Sequence, residues 1–192
     1  DYFNFHNHSI YSSLQASSNI QELINKALEN NFSAVGLVDL GNMMGAFKFV
    51  SKVKKANGNI KKKYQEFLDK KQKAEEEGTE FEEIEPRKKE LIPIIGCEFY
   101  ISDRPEKKQF TKDDPDRRTH IVLLAKNMKG YKNLTKLSSI GYVNGFYFGV
   151  PRISKEMISE YKEDLIALTA GTLGDIPSTI LEFGEQKGEE IF

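Results

Sequence analysis

Three histidines occur in this chain, and two of them stand one residue apart in His6-Asn7-His8. They follow the short apolar alternation Tyr2, Phe3, Phe5, which reads as an opening strand. Alternate residues of an extended segment face the same side, so both imidazoles can meet one point at the strand's end, as a metal ion requires. A metal-hydrolase-like site is one reading of the pair, and two partly buried surface histidines without chemistry is the other. Further candidates shift the balance toward metal. In parallel α/β folds, sites collect at the carboxyl ends of strands, and His6, His8, Asp39 and Glu98 all fall at such ends. His120 instead opens its strand.

The elements that must position these residues alternate. Ser18-Asn19-Ile20-Gln21 has the form of a capping box, and Ile20, Leu23, Ile24, Ala27 and Leu28 repeat behind it at helical spacing until Asn30-Asn31. Ala34 to Val38 is apolar on both faces, the pattern of a strand buried in a parallel sheet, and Asp39 closes it. A second helix carries Met44, Phe47, Val50 and Val53, and the next strand runs from Leu91 to Cys97 and ends at Glu98. His120 to Ala125 and Leu165 to Thr169 are further buried strands; Tyr131–Ile140 and Ser154–Tyr161 are helices, the latter behind a serine cap. This order implies parallel strands joined by crossover helices, in a barrel or an open doubly wound sheet.

Two stretches stand apart. Of the 34 residues from Asn57 to Glu90, 19 are charged, which reads as a solvated surface insertion, helical in its first half and irregular around Gly78 and Pro86. Residues 102–118 form an exposed loop in which Arg117-Arg118 beside Asp113, Asp114 and Asp116 make a mixed-charge surface. Phe146, Tyr147 and Phe148, between Gly145 and Gly149, are expected to pack against a neighbouring domain rather than stack on unpaired bases.

A length of 192 residues fits one domain, 1–192, with a core large enough to need no staple, and the single Cys97 excludes an internal disulfide. With no apolar run near the length of a membrane span and no basic-then-apolar leader, the expectation is a soluble, cytoplasmic protein whose N-terminus begins inside a strand. A net charge of −1 predicts no strong general attraction to phosphate backbone.

Tyr2 to Gly45, containing His6-Asn7-His8-Ser9-Ile10-Tyr11-Ser12 and Val38-Asp39-Leu40-Gly41-Asn42-Met43-Met44-Gly45, resembles the polymerase and histidinol phosphatase (PHP) domain found at the N-terminus of bacterial DNA polymerase III alpha subunits. Pro93 to Glu98, His120 to Asn127, Gly130 to Leu134 and Leu165 to Thr169 extend the likeness in order. The resemblance implies an α/β fold, a PHP-type distorted seven-stranded β/α barrel of which this chain supplies roughly the first five strands. In intact members about nine side chains bind up to three metal ions that activate water for phosphoester hydrolysis. Within the polymerase subunit the domain is a platform, which implies the remainder of the alpha subunit, the proofreading exonuclease subunit and, through the parent protein, DNA as partners, with no membrane.

Carried over one position at a time, His6, His8, Glu98 and His120 match metal ligands of the family. Gln15, Leu40 and Gly171 stand where an acidic residue, a histidine and, in many relatives, a cysteine are expected. An amide is a poor ligand and a leucine is none. The resemblance with these losses implies no catalytic residues, no phosphoesterase activity, and at most one divalent metal, zinc or manganese. The alternative is that the four side chains only hydrogen-bond among themselves. Asp39 is expected to order the Gly41-Asn42 turn, and an unpaired sheet edge to cause self-association.

Overall fold

The computed structural model describes residues 3–190. Helix α1 (Ile20–Glu29) is capped by Asn19, whose side chain accepts from the Gln21 amide, one residue later than the expected Ser18 cap. Strand β1 (Ala34–Leu40) follows, then α2 (Ala46–Glu77), β2 (Ile92–Ile101) and β3 (Thr119–Ala125). After them come α3 (Met128–Val143), the short strands β4 (Phe146–Tyr147) and β5 (Val150–Ile153), α4 (Lys155–Glu160) and β6 (Leu165–Leu168). A 3-10 turn at Gly171–Leu173 leads into α5 (Asp175–Phe183) and α6 (Glu185–Glu189).

The sheet is mixed rather than parallel throughout. β1 pairs parallel with β2 along its whole length, and β5 pairs parallel with Tyr100 and Ile101 farther along the same edge. β3 pairs antiparallel with β2, and β6 antiparallel with β3. The reason lies in the connection. A parallel return needs a crossover element, and residues 103–118 between β2 and β3 contain no helix, so the chain turns back beside the strand it has just left. β6 is an edge strand with Ile166 45% exposed, not the buried strand its apolar run predicts.

Alternation along the strands sorts side chains onto two faces. One face carries Val35, Leu37, Cys97, Phe99 and Leu123, which pack under Ile20 and Ile24 of α1, Phe49 and Val53 of α2, and Leu134 and Leu137 of α3. The other face carries Val38, Val122 and Leu124, against which Phe5 of the N-terminal segment packs. Helices therefore cover one side, and the opposite side is left for chemistry.

The expected opening strand is not a strand among the described residues; Tyr2 lies outside them. Residues 3–9 run beside β1, but Gly36 N donates to Asn4 O and Val38 N to Asn7 O, at 3.0 and 2.8 Å. Donors two apart meeting acceptors three apart cannot keep a ladder register, so the segment stays irregular. The expected insertion begins inside α2, which continues without a break to Glu77 and ends on left-handed Gly78.

Candidate metal centre

Glu98 lies inside β2, which continues to Ile101, and not at a strand end as its sequence context suggests. Three histidines converge on its carboxylate. His6 Nε2 is 2.6 Å and His8 Nε2 2.7 Å from Glu98 Oε2, and His120 Nδ1 is 2.7 Å from Oε1. The Glu98 side chain is 5% exposed, whereas His6 and His8 are 36% and 25% exposed and so stand at the mouth. Tyr100 meets the His120 ring edge-on at 4.7 Å and fixes its orientation.

The histidine pair is aimed by the residue between them. Asn7 Nδ2 donates to Asn4 O and to Gly36 O of β1, and Asn4 Nδ2 donates to Asn7 Oδ1. With Asn7 clamped to the strand, its neighbours turn toward Glu98. Gly36 permits the approach, because a Cβ there would lie 2.2 Å from Phe5 O. Neither asparagine stands out in the sequence as part of the site; their signal is only adjacency to the histidines.

Burial pushes the Glu98 carboxyl up, but hydrogen bonds from His120, His6 and His8 together outweigh that and hold it well below the usual carboxylate range. It is therefore an anion in a nearly dry pocket, stabilised by ring N–H donors. Two imidazole nitrogens and one carboxylate oxygen, all within 4.8 Å of one another, also form a donor set that a divalent cation fits. His120 touches the other carboxylate oxygen and in this arrangement orients Glu98.

Asp39 does not join them. β1–β2 register sets Asp39 beside Cys97 and Leu40 beside Glu98, so Asp39 points to the helix-covered face. There Asp39 Oδ1 accepts from Ser9 N at 2.7 Å, from Ser9 Oγ at 3.0 Å and from Ser12 Oγ at 2.8 Å, tying the loop after His8 to the strand. The Gly41-Asn42 turn is ordered otherwise: Gly41 N donates to Glu98 O, and Asn42 Nδ2 donates to Tyr11 O and Leu40 O. Burial raises the Cys97 thiol well above its ordinary range, with Asp39 and Glu98 adding to the effect.

Gln15 is exposed, and it shares a cavity of about 370 Å³ with Leu40, Tyr100 and Phe148. Gly171 sits in the 3-10 turn after β6 at φ 63. No helix of the described residues is long and apolar enough to cross a membrane.

The profile of the PHP domain matches residues 4–192. The chain belongs to the PHP domain family. Among curated proteins, this PHP domain is similar to DNA polymerase III subunit alpha of Borreliella burgdorferi, 36% identical over 196 residues that cover 100% of this chain and 14% of that protein. It is 34% identical over 195 residues to DNA polymerase III subunit alpha of Aquifex aeolicus, covering 99% of this chain and again 14% of the relative. The PHP domain thus spans about one seventh of these relatives' length. Among solved structures, a Bifidobacterium adolescentis protein assigned as a metal-dependent phosphoesterase shares 12% identity at a TM-score of 0.39, over 72% of this chain and 32% of that one, a likeness too slight to argue from.

Proposed function

We propose that this PHP domain belongs to a replicative, cytoplasmic DNA polymerase III alpha subunit, and that within it the domain is a non-catalytic scaffold with a reduced metal pocket. The observation that carries the second half is the makeup of the Glu98 face: one carboxylate, its neighbour Leu40 on the adjacent strand, and three histidines engaged by that carboxylate. Two divalent cations held within about 4 Å of each other need several anionic ligands to offset their repulsion, and one glutamate does not supply them. The pocket supports a single zinc or manganese at most, held by His6, His8 and Glu98 with His120 orienting the carboxylate. When bound, such an ion would lower the pKa of a coordinated water. Without a second cation and without an acidic residue at Gln15, the pocket lacks the clamp for attacking and leaving oxygens.

The polymerase carboxylates then lie elsewhere in the parent protein, which is a DNA-directed DNA polymerase in this reading. The domain's partners are the rest of that subunit and the proofreading exonuclease, with DNA engaged by the assembly. The test is incubation of the full-length protein with manganese or zinc and a 3′-mismatched primer, with no exonuclease subunit present. The expected result is no trimming. Metal-dependent 3′ trimming abolished by His8→Ala would replace the scaffold reading with a phosphoesterase or 3′–5′ exonuclease working with a reduced ligand set.

A further inference from the structure

α2 is longer than its packing requires. Ala46, Phe49, Val53 and Ile60 enter the core, and beyond Ile60 only Ala74 is buried. From Leu40 to Gln65 the sequence holds seven lysines and no carboxylate, and from Ala74 to Pro86 it holds seven glutamates and no base. The net charge of −1 conceals these two opposed blocks.

The acidic block folds back on the outer half of the helix. Phe81 meets Phe67 edge-on at 5.3 Å, Glu83 pairs with Lys70 at 2.7 Å, and the Tyr64 hydroxyl donates to Glu85 at 3.3 Å. The inner half is left largely uncompensated. Lys61 pairs with Glu90 at 3.0 Å and Lys62 reaches Glu66 at 3.7 Å. Lys54, Lys55 and Lys63 are exposed and have no anionic partner among the described residues. Lys54, Lys55 and Lys63 spread around the exposed side of the helix, Lys54 and Lys63 on opposite flanks of Lys55, over about 14 Å of helix axis. The same stretch offers Ser51 and Asn59 as neutral donors, and Gly58 faces open space.

We propose that the inner half of α2, from Ala46 to Gln65, binds the phosphate backbone of nucleic acid without regard to sequence, with Lys54, Lys55 and Lys63 as its principal contacts. Flexible ammonium groups spread over the exposed side of a helix, with amide and hydroxyl donors beside them, suit phosphate oxygens, which position a nucleic acid without reading its bases. A lipid surface is disfavoured because the helix's apolar stripe is packed into the core and does not lie exposed opposite the lysines. An acidic protein partner is disfavoured because the exposed residues between Lys54 and Lys63 include no apolar side chain. Phe47, 83% exposed at the root of the helix, adds a ring on which an unpaired base can stack. The inference rests on the polymerase reading for its biological setting but not for its test.

The test is fluorescence anisotropy of this full chain with labelled duplex and single-stranded oligonucleotides of mixed sequence, in EDTA so that the histidine pocket plays no part. Binding at about 50 mM salt is expected to weaken with a log–log slope near −3, one unit per phosphate neutralised. The variant Lys54→Gln/Lys55→Gln/Lys63→Gln is expected to lose about tenfold or more in affinity, with the slope falling toward zero. The equal-charge control Lys70→Gln/Lys71→Gln/Lys73→Gln is expected to bind as the parent does, and arginine at the first three positions to restore binding. Circular dichroism checks that each variant folds. No binding at low salt, equal loss from both triple variants, or binding to phosphatidylserine vesicles but not to DNA would each overturn the proposal. Trimming of 3′ ends by the full-length protein would overturn the scaffold reading and leave this one standing.

Discussion

Leu40 and Glu98 are direct neighbours across the parallel β1–β2 pair, on the face that carries the histidines. A side chain at position 40 therefore stands on the same face as the carboxylate, and a branched alkyl group there supplies no donor.

Leu40→His is expected to add an imidazole beside Glu98 and tighten zinc binding. Calorimetric titration of the metal-stripped protein checks it, with His6→Ala as the control that lowers affinity. Equal affinity in Leu40→His and the parent would mean that position 40 does not face the bound ion.

Gly36→Ala is expected to loosen the site without touching a ligand. The added methyl would meet Phe5 O at 2.2 Å, so the segment carrying His6 and His8 must move away from β1. Displaced supports of this kind cost roughly 10–100-fold in metal affinity. A variant that binds zinc as well as the parent would show that the segment adapts.

The Glu98 carboxyl is held well below the usual range when folded, so the sign of its pH effect is fixed. Its stabilisation is fully present above the unfolded-state pKa of about 4.3 and is lost as pH falls through the lower folded value. Glu98→Gln is expected to cost about 1–3 kcal/mol at neutral pH, through weakened hydrogen bonds from three histidines. Urea unfolding of the two proteins should show a gap that narrows as pH falls below about 4. A gap independent of pH down to acid unfolding would contradict the assignment.

Arg152 is fully buried, where its guanidinium donates to Gly145 O, Pro105 O and Lys107 O and pairs with Asp116 at 2.8 Å. Its guanidinium lies 5.4 Å from the Phe110 ring and 5.0 Å from the Tyr147 ring. Arg152→Ala removes the hydrogen-bonded partner of Asp116, leaving it only Arg118 at 3.3 Å, and is expected to cost about 3–5 kcal/mol. Arg152→Lys should recover little, since an ammonium cannot reproduce a planar fork of bonds. Thermal melts of the three proteins decide it.

Local periodicity in the sequence was sufficient for much of the fold. The 3.6-residue repeat from Ile20 to Leu28, the apolar run at β1 and the Ser154 cap all appear where expected, because each depends on residues within a turn or a strand of one another. The types of residue at the pocket were legible too: His6, His8, Glu98 and His120 meet in one place. What local pattern cannot carry is register and return direction. That β3 runs antiparallel follows from a loop without a crossover helix, and that Asp39 turns away from Glu98 follows from pairing between strands more than fifty residues apart. Near the aromatic hairpin, Arg152 sits between Phe110 of the 102–118 loop and Tyr147 of β4, which local pattern does not reveal, since its partners at 105, 107, 110 and 116 come from a separate segment. Sequence by itself determined which side chains were available for chemistry. The tertiary structure decided which of them share a face, because burial and hydrogen-bond satisfaction are settled only when distant segments close on one another.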